Sequence, residues 1–99
     1  MDLRRLVASS CRQKILETLS GLGQTHMMDL VRKVNSTFTQ VDRNLKILQK
    51  ESIVEIKYYG RLRMIKLNRE NPKTEVILKA LRMLKQRELH NIRRPVLNN

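Results

Sequence analysis

The chain of 99 residues carries 21 Lys and Arg against 9 Asp and Glu, a formal charge of +12 that asks for a partner of dense negative charge. At 11.7 kDa it fits one compact domain and is too short for two cores, which excludes multidomain enzymes and large barrels. Apolar residues make up 40% of the chain but aromatics only 3%, and Trp is absent, so Leu, Ile, Val and Met must build the core of a small, mainly helical fold.

No apolar run approaches the ~20 residues of a membrane span, and Met1-Asp2-Leu3-Arg4-Arg5 lacks the long apolar stretch of a signal peptide. The expectation is a soluble, cytoplasmic protein with no membrane partner. The single cysteine, Cys11, has no internal disulfide partner and agrees with a reducing compartment.

In chain order, Leu3, Leu6, Val7, Ile15, Leu16 and Leu19 mark two helical pieces that meet at Ser9-Ser10. Ser10 and Gln13 have capping-box spacing, which starts the second piece at about Cys11. Gly21-Leu22-Gly23 supplies its left-handed stop after about Ser20. A short extended stretch at Thr25-His26-Met27 leads into a helix over Met28–Val34. Asn35-Ser36-Thr37 breaks the pattern with three good N-cap types. Phe38, Val41, Leu45 and Leu48 then recur at i, i+3, i+7 and i+10, predicting a single-sided helix to Lys50 with those four residues facing the core.

The period next changes to two. Ile53–Tyr59 and Leu62–Leu67 read as strands flanking Gly60-Arg61, and a Gly at the first central position of a two-residue turn signals a hairpin. Asn71-Pro72 reads as cap and first residue of a long helix to about Asn91, since Pro is tolerated where its missing N–H would be unpaired. Its apolar set, Val76, Ile77, Ala80, Leu81 and Leu84, widened by Leu78, Met83, Leu89 and Ile92, is broader than one contact requires.

This order of elements is that of a winged helix-turn-helix. The chain also resembles a family through Leu6-x-x-Ser9-x-x-Arg12-x-x-Ile15-Leu16-x-x-Leu19, Asp29-Leu30-Val31, Thr39-Gln40-Val41-Asp42-Arg43-Asn44-Leu45-Lys46-Ile47-Leu48, Ile53-Val54 and Gly60-Arg61. In order and spacing these are similar to the ArsR-type (ArsR/MarR-like) winged-helix repressors of bacteria and archaea, over residues 6 to about 67. The expected fold class is mainly α with a small β-hairpin wing (α+β). It comprises a DNA-binding winged helix at 1–70, a C-terminal dimerisation helix at 71–92 and a flexible tail at 93–99.

At 100° per residue, the side of the 37–50 helix opposite its apolar stripe carries Ser36, Thr39, Gln40, Arg43, Lys46 and Lys50. In a major groove Gln40 suits an adenine edge, Arg43 a guanine or a phosphate, and Thr39 a base edge or thymine methyl. With Thr37 at the cap and Asn44 along the helix, these form the expected reading set. Asp42 departs from the family pattern of a small hydroxyl residue and is expected to pair with Lys46 four residues on. On the wing at 54–67, Lys57, Arg61 and Arg63 are expected to follow the minor groove or backbone, with Lys66 nearby. Of Tyr58 and Tyr59 one is expected to pack and one to reach a phosphate.

A last helix with a wide apolar face, like the family resemblance, implies a homodimer through Val76, Ile77, Ala80, Leu81 and Leu84. Two-fold symmetry then sets the reading helices about 34 Å apart on an inverted-repeat site.

The resemblance brings metal sensing into view, yet Met28–Val34 has no Cys, and His26 and His90 stand alone; no metal and no cofactor are expected. Cys11 reads better as a small packed residue than as a thiol sensor. No nucleophile–base set, phosphate loop or carboxylate pair suggests catalysis. Three readings remain for a cytoplasmic, nucleoid-associated protein: a site-specific regulator, acting as a repressor on double-stranded DNA; an architectural or chromatin protein of low specificity; and a winged-helix adaptor for proteins, which the cationic reading face disfavours.

Overall fold

The computed structural model describes residues 2–93, with side chains to residue 87. The side chains of Leu89, His90 and Ile92, and the tail past Arg93 expected to be flexible, lie outside the described residues. The elements are α1 (Leu3–Leu6), α2 (Ser10–Leu22), β1 (Gln24–His26), α3 (Met27–Val34), α4 (Phe38–Lys50), β2 (Val54–Tyr59), β3 (Leu62–Leu67) and α5 (Pro72–Arg93). No described helix is long and apolar enough to cross a membrane.

Each boundary has a local cause. Asp2 caps α1 by accepting from the Arg5 amide at 3.0 Å. Ser9, one residue earlier than expected, caps α2: its Oγ accepts from the Arg12 amide at 3.3 Å. Gln13, expected to close a capping box with Ser10, instead donates to the Val7 carbonyl. α2 runs through Gly21 and stops at Gly23, whose φ of 83° suits a residue without a Cβ.

The short extended stretch becomes β1, which pairs antiparallel with β3, giving a three-stranded sheet in the order β1-β3-β2. His26 closes β1 and caps α3, its Nδ1 accepting from the Asp29 amide at 3.4 Å. Asn35, left-handed at φ 57°, ends α3, and the Thr37 hydroxyl oxygen accepts from the Gln40 amide at 3.1 Å to start α4. The β2–β3 hairpin closes on the Tyr59–Leu62 pair, with Gly60 at φ 62° in the first central position. Asn71 caps α5 by accepting from the Lys73 amide at 3.0 Å.

The core is aliphatic. Leu6, Ile15, Leu16, Leu19, Leu30, Val41, Leu45, Leu48, Ile53 and Ile65 are fully buried, and no aromatic joins them. Phe38, expected among the core residues of α4, is 45% exposed. It occupies the first helical position, where α4 has only begun to pass over the domain, and the buried stripe is completed instead by Asn44.

α5 enters this core through Thr74, Ile77, Leu78 and Leu81, with the Thr74 hydroxyl donating to the Asn68 carbonyl at 2.7 Å. Ile77 and Leu81, expected at a dimer face, therefore belong to the domain's own core. From Arg82 to Arg87 every residue is exposed, past Leu81, the last buried residue described in α5. A 22-residue helix spans about 33 Å, longer than the buried row of Thr74, Ile77, Leu78 and Leu81 requires.

Candidate nucleic-acid interface

α4 is held by its buried stripe, and the same stripe fixes which residues face out. Thr37, Thr39, Gln40, Arg43, Lys46 and Lys50 are exposed, and Ser36 is half-buried in the turn before them. Thr39, Gln40 and Lys50 make no side-chain hydrogen bond or ion pair among the described residues, and neither does Arg43. Lys46 reaches back to Asp42 at 3.0 Å, the expected helical pair.

Asn44 does not share that face. It is 4% exposed, and its Oδ1 accepts from Arg12 Nη1 at 2.8 Å while its Nδ2 donates to the Gln40 carbonyl at 2.8 Å. The same guanidinium donates to the carbonyls of Arg5 at 2.8 Å and Leu6 at 3.1 Å. Asn44 is thus withdrawn from the reading set and ties α4 to α2 and to the end of α1. Both amide groups are matched, which removes the cost of burying it.

The wing divides its cations by strand parity, since successive side chains point to opposite faces. Arg61 sits exposed in the turn. Lys57 shares the outer face with Glu55 and Lys66, the latter two 3.9 Å apart. Arg63 lies on the inner face with Ile65 and Leu67, toward α4. There its Nη1 donates to Asp42 Oδ1 at 2.6 Å and to the Met27 sulfur at 3.8 Å, and its guanidinium stands 5.7 Å from the Phe38 ring and 5.8 Å from the Tyr58 ring.

The Asp42–Arg63 contact escaped the sequence reading, although the parity of residues 63, 65 and 67 already placed Arg63 inward. The Arg63 hydrogen bond, followed by that of Lys46, holds the Asp42 carboxyl below its ordinary value, so Asp42 is ionised and compensated at neutral pH. Tyr58 and Tyr59 are 66% and 61% exposed; the expectation that one of them packs away is not met.

Among the described residues, α5 also exposes an apolar stripe. Val76, Met83 and Leu84 are 49%, 61% and 41% exposed, and with half-buried Ala80 they fall at i, i+4, i+7 and i+8 on α5. Among the described residues no three His, Cys, Asp or Glu side chains come together to hold a metal ion.

A helix-turn-helix followed by a hairpin beside its second helix defines a winged helix, and solved structures share it. The antimony-specific transcriptional repressor AntR superposes with a TM-score of 0.72 at 19% identity, over 88% of this chain and 78% of that one. A MarR-family transcriptional regulator from Silicibacter pomeroyi gives 0.77 at 17%, over 97% and 67%. The homodimeric winged helix-turn-helix DNA-binding domain of Mb0332 from Mycobacterium bovis, a possible ArsR-family regulator, gives 0.69 at 16%, over 90% and 80%. No family model matches the sequence, and no curated protein matches it. At these identities the likeness establishes the fold: a winged helix of the kind found in ArsR- and MarR-family regulators.

Proposed function

We propose that this chain is a site-specific regulator of transcription that binds double-stranded DNA as a homodimer and represses. The observation that carries the reading is the outward set Thr39, Gln40 and Arg43, without side-chain partners among the described residues, in the first two turns of α4 beside a cationic hairpin. Side chains that already satisfied one another would have no groups left for base edges; these do. α4 would enter the major groove, Gln40 and Arg43 reading purine edges and Lys46 and Lys50 meeting phosphates, while Arg61 follows the flanking backbone or minor groove.

The dimer surface in this reading is the exposed stripe of Val76, Ala80, Met83 and Leu84, without Ile77 and Leu81. Running along one side of α5, opposite its buried row, that stripe offers an apolar face to a second copy. Two α4 helices about 34 Å apart call for an inverted-repeat operator. Replacing Met83 and Leu84 together by Glu leaves the core residues in place and should give a monomer in sedimentation equilibrium; a persisting dimer would move the interface elsewhere.

A second reading has its own observation. Residues 1–50 carry 9 Lys and Arg less 4 acids, or +5, and residues 51–99 carry 12 less 5, or +7, so positive charge is not confined to α4. That distribution suits an architectural protein held mainly by counterion release. The ratio of affinities for a sequence selected from a random duplex pool and for competitor DNA, both at 150 mM salt, separates the two. Site-specific binders reach about 10³ or more, and a ratio below about ten favours the architectural protein.

A further inference from the structure

The chain contains one Phe and two Tyr, and all three rings are exposed, so none of them is in the core. Phe38 is the one of them on the reading helix, in the first turn of α4 between the Thr37 cap and the exposed Thr39 and Gln40. An exposed ring alone is ordinary, but this one is held. The Arg63 guanidinium lies 5.7 Å from its centroid, and that guanidinium is fixed by Asp42 at 2.6 Å and flanked from the wing by Tyr58. One side of the ring is thereby committed to a compensated ion pair, and the rest is open beside groups that suit base edges. The apolar feature that base pairs present in the major groove is the C5-methyl of thymine.

We propose that Phe38 is a specificity-determining residue that covers the C5-methyl group of a thymine in the major groove, and that Asp42 and Arg63 are positioning residues which fix the ring for that contact. The proposal rests on the DNA-reading function above and adds to it the base chemistry that the start of α4 recognises. An aromatic ring against the methyl removes apolar surface from water on both partners, and a cytosine or a deoxyuridine at the same place offers no methyl to cover.

The test uses the full chain and a duplex that the chain itself selects from a random pool, with each thymine replaced singly by deoxyuridine. The wild type should lose about fourfold in affinity at one thymine per half-site, the size of one buried methyl, and be indifferent elsewhere. Phe38→Ala should bind thymine and deoxyuridine equally at that position, and Phe38→Leu, which keeps an apolar side chain and the fold, should retain part of the preference. Asp42→Asn should lower the thymine preference while raising affinity for all duplexes, because it removes a negative charge near the phosphates; a merely structural role would not move the two in opposite directions. A selected site without thymine, a wild type blind to every deoxyuridine, or a Phe38→Ala that keeps the penalty would each overturn the proposal while leaving the regulator reading intact. A pool that yields no enriched sequence would overturn both.

Discussion

α2 and α4 are each 13 residues long and pack against one another, but they dispose of their arginines in opposite ways. Arg12, in α2, directs its guanidinium inward to the carbonyls of Arg5 and Leu6 and to Asn44. Arg43, in α4, is exposed and makes no such bond among the described residues. A guanidinium enclosed by carbonyls and a side-chain amide is a structural cross-link, fixing one helix to its neighbours. One left in water, in a row with Thr39 and Gln40, contributes little to folding and keeps its five donors for something outside the chain. The contrast separates scaffold from proposed reading surface within a single helix pair, and substitutions at either put it to the test.

The largest effect belongs to the shared scaffold. Leu45→Ala opens a cavity under α4 at a fully buried position, and urea denaturation should show a loss of about 2–5 kcal/mol. Next comes the cross-link itself. Arg12→Ala leaves the Asn44 amide oxygen only its long 3.5 Å bond from Ser9 and takes the side-chain donors from the Leu6 and Arg5 carbonyls, and should cost about 1–3 kcal/mol in the same experiment, with DNA binding weakened only in proportion to the unfolded fraction. A change in sequence preference at full folding would show that Arg12 belongs to the reading machinery instead.

Asp42 gives a smaller, pH-dependent effect. Its pKa is depressed chiefly by Arg63 and then by Lys46, relative to an ordinary 3.8. The folded state therefore holds its proton less tightly than the unfolded chain. The resulting stabilisation is complete above the unfolded pKa and is lost as pH falls through the folded one. Asp42→Asn should thus be less stable than the wild type at neutral pH by about 1 kcal/mol, and the gap should close below about pH 4. A gap that persists unchanged into acid would mean that Asp42 acts through packing. The smallest effect on folding is at the wing tip. Arg61→Ala should leave stability within about 0.5 kcal/mol, lower affinity for every sequence alike, and reduce the slope of log affinity against log salt by about one.

The same contrast explains what could be read from the sequence. The stripe of Val41, Leu45 and Leu48, the Gly60-Arg61 turn and the Asn71-Pro72 start are set by neighbours a few residues away, and local periodicity exposes them. Asn44 could not be placed that way, because the residue that makes its burial tolerable, Arg12, is 32 positions away. Phe38 misled for the reverse reason: an aromatic in phase with a buried stripe is expected inside, but at a helix's first turn the core has not yet begun. The broad face of α5 was legible as broad, while its division into an inward row of Ile77, Leu78 and Leu81 and an outward row of Val76, Met83 and Leu84 depends on how the helix leaves the sheet. Arg63 alone carried a usable local signal, its strand parity, which its charge overrode.

Whether the outward face of α4 reads base pairs is decided by repeating the random-pool selection with Arg43→Ala. Its folding should match the wild type, since Arg43 is exposed and makes no side-chain hydrogen bond or ion pair among the described residues. The expected consensus has lost its preference at one position and at its symmetry mate, with about 1–3 kcal/mol less affinity for the wild-type site. An unchanged consensus bound as tightly as before would contradict base reading by that face.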